Sequence, residues 1–177
     1  PHQLGRDLGD DALSLNTPVI QVEEGLVHTP KEQIQGEHIV LATPFHITND
    51  LLGRPTERRW KSSTCLYFST QTPPMKEPIL ALNGAADGLV NLVCVPSIIA
   101  KGLAPNGHEL VCVSLREGVS DVDPNCIVLE LARWFGDGVH EWRHLKTFHI
   151  EHALPESRPE DLCKTYEERP SDKIHIC

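Results

Sequence analysis

Basic residues are scarce: 16 Lys and Arg stand against 25 Asp and Glu in 177 residues, for a net charge of −9. A surface of that sign repels phosphate backbones and anionic lipid, which excludes nucleic acid and membrane surfaces as general partners. Long apolar runs are lacking too. Ile39 to Pro44, and Leu89 to Ala100 with Asn91, Pro96 and Ser97 inside it, fall short of the ~20 residues that span a bilayer. No CxxC pair occurs among the six cysteines, Cys65, Cys94, Cys112, Cys126, Cys163 and Cys177. Several lie in apolar runs, where a thiol acts as a small hydrophobe, and a reducing, cytoplasmic setting is expected. The chain has no Walker Lys-Ser/Thr, no dinucleotide fingerprint and no GxSxG elbow, so phosphate-loop and serine-nucleophile chemistry have no positive sign. Internal repeats, an initiator Met and a charged-then-apolar leader are likewise missing. With Cys177 falling just as the apolar run Ile174, Ile176 starts, the chain reads as a fragment.

What is present suits a globular protein. AVILMFWYC residues make up 40% and charged residues 23%, and a chain of this length can bury roughly 70% of its unfolded surface. Pro1 to Leu8 reads as the end of a helix. Leu13 with Leu15, Pro18 to Val22, and Leu26 to His28 read as short strands of a β-meander, divided by Glu24-Gly25 and closed by Pro30. Ile39 to Ala42 is a continuous apolar run stopped by Thr43-Pro44, which suits a strand buried on both faces, as in α/β sheets.

Beyond Pro44 the texture changes, and a domain crossing is placed near residue 45. His46 to Leu52 suits a short helix. Ser63 to Ser69, Ile79 to Leu82, Val90 to Val95 and Glu109 to Leu115 carry the β-branched and aromatic residues of a second sheet. Asp123 as N-cap, Pro124 in the first turn, apolar Ile127, Leu131 and Trp134, and Gly136 at the end specify a helix. His144 to Ile150 alternates toward another strand. Pro155 to Ser171 is a charged connection into Lys173 to Cys177, a run expected to return to the layer of Ile39 to Ala42.

Two strings invite chemical readings. His140-Glu141-Trp142-Arg143-His144 matches HExxH, in which two imidazoles one helical turn apart hold zinc and Glu141 serves as general base. That mechanism needs a helix, yet Gly136 and Gly138 precede the motif and β-leaning residues follow it. Residues 140–144 are therefore expected to be extended or irregular, with the zinc hydrolase kept as the alternative. His149 and His152 could join these histidines only as a patch split between two strand faces. Asn83 to Gly88 is glycine-bearing but lacks phosphate-loop spacing, and a hairpin or wide turn is expected.

A resemblance adds to this reading. Asn16-Thr17-Pro18-Val19-Ile20-Gln21-Val22, the meander after it and the strand ending Ala42-Thr43-Pro44 resemble the middle of the flavin-containing amine oxidase and phytoene desaturase-like flavoproteins. Trp60 to Phe68, Pro78 to Gly84, Val90 to Ser97, and Trp142 to Thr147 through Ala153-Leu154-Pro155 look like one branch of that family. The resemblance implies an α/β fold. Residues 1–44, with 156–177 returning to them, would be part of an FAD-binding Rossmann-type domain, and 45–155 a mixed-sheet substrate domain with helices. It further implies FAD as cofactor, and hydride transfer from a small hydrophobic amine or C–C substrate to the flavin. Val19 matches the position whose backbone meets the adenine end of FAD, and Ala42, Thr43 and Pro44 match the strand end beside the cofactor. Trp142 is expected either to line the cavity or to pack in the core. No catalytic acid or base is implied, because the flavin itself accepts the hydride. A non-catalytic binding module with an apolar groove is the remaining alternative.

Overall fold

The computed structural model describes residues 5, 8–55, 59–85, 87–156 and 170–177. The chain divides into two compact units, Pro1–Glu57 with Arg158–Cys177, and Arg58–Ser157. The expected helix end at Pro1 to Leu8 and most of the connection from Pro155 to Ser171 lie outside the described residues.

In the first unit, β1 (Gln21–Glu23), β2 (Leu26–His28) and β3 (Gln33–Gln35) form an antiparallel meander. Val22 faces Val27, and Val27 faces Ile34. Gly25, at φ +78°, closes the two-residue turn between β1 and β2. Thr29 ties the next turn, accepting from the Glu32 amide at 3.0 Å and donating to the Glu32 carbonyl at 2.9 Å. The strand expected at Leu13 and Leu15 is absent; both side chains are exposed, and the nearest ordered turn is a 3-10 segment at Asp10–Ala12.

Strand β4 (Ile39–Leu41) pairs in parallel with β10 (Ile174–Ile176), Ile39 opposite Ile174 and Leu41 opposite Ile176. Burial on both faces is not observed: Ile39 and Leu41 are buried, but Val40 between them is 61% exposed. The inward pair meets Val22, Leu51 and Ile174 in one small core, while the residue between points to the opposite side of the strand. Helix α1 (Phe45–Leu51) follows directly. Because Leu51 belongs to this core, the division of the chain falls after residue 57 rather than near 45.

The second unit is built on a sheet of five strands in the order β6-β7-β8-β5-β9. These are β5 (Trp60–Thr70), β6 (Ala81–Leu82), β7 (Val90–Cys94), β8 (Glu109–Leu115) and β9 (Arg143–Pro155). Every pairing is antiparallel, so this sheet is not the mixed one expected. Alternation along β5 and β8 sends Leu66, Phe68, Val111 and Val113 to one fully buried face, joined by Val90 and Val93 of β7.

Helix α3 (Pro124–Phe135) covers that face through fully buried Ile127 and Leu131. Its ends are those written in the sequence. The Asp123 carboxylate accepts the Asn125 amide at 2.9 Å, and Gly136 stops the helix at φ +79°. Ile79 and Leu80 stand exposed, so the expected strand there shrinks to Ala81–Leu82. After β7 the chain makes a short helix, α2 (Pro96–Ile99), which the sequence reading did not anticipate. Its buried Ser97 hydroxyl accepts the Leu110 amide at 2.8 Å and bonds to the Glu109 carboxylate.

Candidate functional site

The face of the five-stranded sheet opposite α3 carries the other half of the alternation. Cys65, Tyr67 and Ser69 of β5 are half-buried there, as are Cys112 and Ser114 of β8 and Cys94 of β7. Register brings them side by side: Tyr67 stands opposite Cys112, Cys112 opposite Cys94, and Cys65 opposite both Ser114 and Phe148 of β9. The Tyr67 and Phe148 rings meet edge to face at 5.7 Å, and Lys146 lies over the Phe148 ring at 4.7 Å. At the rim, Lys61 pairs with Glu117 at 3.1 Å.

Three of these groups, Tyr67, Cys94 and Cys112, are shifted upward. Burial is the main cause that pushes the Cys112 thiol up to about 12, with the neighbouring Cys94 and Cys65 sulfurs adding to it. The Tyr67 phenol is also pushed up to about 12, first by the adjacent Cys112 sulfur. Burial raises Cys94 as well. A phenol and two thiols that hold their protons form the middle of this face, with the Lys146 ammonium beside them over Phe148. They offer no general base near neutral pH.

The helix that an HExxH metal site requires is not formed. His140 and Glu141 end a 3-10 segment at Asp137–Glu141, Trp142 turns inward, and His144 lies in strand β9. The His144 Nε2 is 3.0 Å from the Thr147 hydroxyl and its ring packs on Phe68. Among the described residues, no group of three or more His, Cys, Asp or Glu could hold a metal ion. Trp142 is a core residue, buried against Phe68 and Phe135. His149 bonds to the Thr64 hydroxyl at 2.8 Å, and His152 meets the Trp60 ring edge-on.

The glycine-bearing segment at Asn83 is a connection between β6 and β7 held by side-chain hydrogen bonds. The Asn83 side-chain amide donates to the Val90 carbonyl at 2.9 Å, its oxygen accepts the Ala85 amide, and Glu130 of α3 accepts the Leu89 and Val90 amides. Those amides are not available to a phosphate.

Val19 lies just before the meander, 39% exposed. The ladder begins one residue later, where the Ile20 amide donates to the His28 carbonyl at 2.9 Å, and among the described residues nothing pairs with the Val19 backbone. Ala42, Thr43 and Pro44 join β4 to α1. The Thr43 hydroxyl meets the Thr48 hydroxyl at 2.8 Å, and the Pro44 carbonyl accepts the Thr48 amide. Val19 and Thr43 belong to the same unit, tied through Val22 and Leu41 in its core.

No protein-family model matches the chain, and no curated protein matches it. Solved structures do. Reduced UDP-galactopyranose mutase aligns over 87% of this chain and 38% of its own, with TM-score 0.65 and 15% identity. An oxidoreductase from Methanosarcina mazei aligns over 90% and 43%, with TM-score 0.60 and 11% identity. The PF1083 protein from Pyrococcus furiosus aligns over 90% and 39%, with TM-score 0.61 and 15% identity. The chain thus spans about two fifths of the length of these structures. At such identities the likeness establishes a shared fold.

Proposed function

We propose that this chain forms part of an FAD-dependent oxidoreductase of the amine oxidase and phytoene desaturase-like kind. Its reaction would move hydride from a small hydrophobic amine or C–C substrate to the flavin. The observation that carries the reading is the fold shared, over 87–90% of the chain, with solved proteins named as an oxidoreductase and a reduced mutase. The family resemblance of Asn16 to Val22 and Ala42 to Pro44 supports it independently. In this reading the unit holding β1–β4, α1 and β10 contributes to the flavin-binding domain, and the unit holding β5–β9 is the substrate domain.

The residues present fit their assigned parts. Among the described residues nothing pairs with the Val19 backbone, which supports its assignment to an edge that meets adenine. Ala42, Thr43 and Pro44 close the carboxyl end of a parallel strand, where α/β sheets place their ligands. The Thr48 hydroxyl holds that turn through Thr43. When bound, the flavin supplies the hydride acceptor. The chain's own work would be to present the half-buried face of Tyr67, Cys112 and Cys94 to an apolar substrate and to keep water from it. Parallel strands are ordinarily covered on both faces, and exposed Val40 marks where further polypeptide would pack. Among the described residues, no helix is long and apolar enough to cross a membrane. A cytoplasmic location is proposed from the thiol-rich, CxxC-free sequence.

The test compares two purified proteins, the 177-residue chain and the complete gene product containing it. The complete product should carry stoichiometric flavin. The isolated chain should purify colourless, since a few backbone bonds of ~0.5–1.5 kcal/mol each cannot hold a large flexible dinucleotide. A complete product that neither carries nor retains added FAD after dialysis would overturn the proposal.

A further inference from the structure

The HExxH string, idle as a metal motif, serves a different cavity. At one end of the five-stranded sheet lies an open groove of about 530 Å³. Its polar wall is made by Ser69 and Gln71 where β5 runs out, His108 before β8, and Glu141 and Arg143 at the start of β9. Its volume is within the ~300–1,000 Å³ common for small-molecule clefts.

Local structure explains why these groups converge. Buried Trp142 anchors the chain in the core, so the residues on either side of it, Glu141 and Arg143, are left exposed. Register then sets Arg143 directly across from Ser69. His108 is held by a tight turn in which its amide donates to the Pro105 carbonyl at 3.0 Å, with Gly107 at φ +80°.

What makes this a site rather than a surface dent is the state of its polar groups. Among the described residues, neither Glu141 nor Arg143 takes part in an ion pair, although both line the same groove. The His108 Nδ1 is buried and, among the described residues, has no hydrogen-bond partner. Buried polar atoms in native folds are nearly always satisfied, by protein, water or ligand. A cation, an anion and an orphaned ring nitrogen around one cavity ask for a ligand that carries both signs.

We infer that this groove binds a small zwitterion of the α-amino acid type. The Arg143 guanidinium would take the carboxylate as a bidentate pair. Glu141 would accept from the ammonium, and His108 Nδ1 would complete the polar shell. A simple anion fits less well because Glu141 repels it, and a simple cation fits less well because Arg143 does. The inference does not depend on the flavin reading, and either can fail alone.

The experiment is an NMR titration of the 177-residue chain with L-leucine, N-acetyl-leucine and leucine methyl ester. L-leucine should shift the amide resonances of Ser69, Gln71 and His108 with a millimolar Kd. Blocking either the ammonium or the carboxylate should weaken binding at least tenfold. Arg143→Gln and Glu141→Gln, both at exposed positions, should do the same while leaving the rest of the spectrum folded. Arg133→Gln removes an exposed charge from α3 and should change nothing. The inference is overturned if L-leucine shifts none of these resonances, if the blocked compounds bind as well as leucine, or if Arg143→Gln binds like the parent chain.

Discussion

Replacing Glu130 should unfasten the turn that leads into β7. Its carboxylate accepts the Leu89 amide at 2.7 Å and the Val90 amide at 3.1 Å, reaching from α3 across to the sheet. Val90 is fully buried, so its amide has no water to turn to. Hydrogen bonds to an ionised acceptor contribute about 1.5–3 kcal/mol each, and the exposed Leu89 bond belongs at the low end or below. Glu130→Ala is therefore expected to destabilise by about 2–4 kcal/mol, and Glu130→Gln, which keeps one acceptor oxygen, by about half of that. Gly88 is the other half of the device. Its φ of +84° disfavours a side chain, and a Cβ there would stand 2.3 Å from a Glu130 carboxylate oxygen. Gly88→Ala should act twice, costing about 1–2 kcal/mol for the left-handed backbone and more for pushing the carboxylate off its amides. In a Glu130→Ala background the second cost disappears. A double-mutant cycle by urea denaturation, followed through Trp134 and Trp142 fluorescence, should show a coupling of about 1–3 kcal/mol. Additivity within ~0.5 kcal/mol would refute the linkage between turn and helix.

Three further outcomes are expected. The raised Cys112 and Tyr67 groups stabilise the fold fully below the ordinary thiol value of 9.0, and that contribution is lost as pH climbs toward about 12. Melting temperature should fall along that alkaline limb, and Cys112→Ser should flatten the fall; superimposable limbs would contradict the assignment. Zinc or a chelator should leave the melting temperature unchanged in both the parent chain and His140→Ala, whereas a zinc-dependent rise abolished by that substitution would restore the hydrolase reading. Trp142→Ala, which removes a buried indole from between Phe68 and Phe135, should cost about 3–5 kcal/mol in urea unfolding. A loss below ~1 kcal/mol would show that the indole is not part of the core.

Elements whose determinants are local were legible in the sequence. Helix α3 announces itself by Asp123, Pro124 and Gly136, each acting within a turn of the residue it affects. The alternation Leu66, Phe68 against Cys65, Tyr67 marks β5, and Glu109 to Leu115 marks β8 to the residue. Strand β3 escaped because Gln33-Ile34-Gln35 is short and exposed throughout, with a single apolar residue between two glutamines, its pairing supplied only by the neighbouring strand. Strand β9 runs on to Pro155 through His149, Glu151 and His152, a stretch whose polar residues carry little hydrophobic period. What no local rule provides is register. The meeting of Tyr67 with Cys112, of Cys112 with Cys94, and of Glu130 with Leu89 depends on pairings tens of residues apart.

A signal for the candidate face was nevertheless present. A strand with one side in water ordinarily alternates apolar with charged or strongly polar residues. Here the central outward positions of β5 and β8, Cys65, Tyr67, Ser69, Cys112 and Ser114, are uncharged and half-buried. Such residues gain little from water, yet charge in their place would have kept the face soluble without disturbing the core behind it. Val40 makes the same point in the other unit, an apolar side chain left 61% exposed on a parallel strand. Burying a valine stabilises by roughly 1.5 kcal/mol or more, a contribution the described residues leave unrealised there. Both features are what a chain selected to meet something apolar would retain. In the enzyme we propose, these partners would be the substrate on the β5–β8 face and a further layer of polypeptide over Val40.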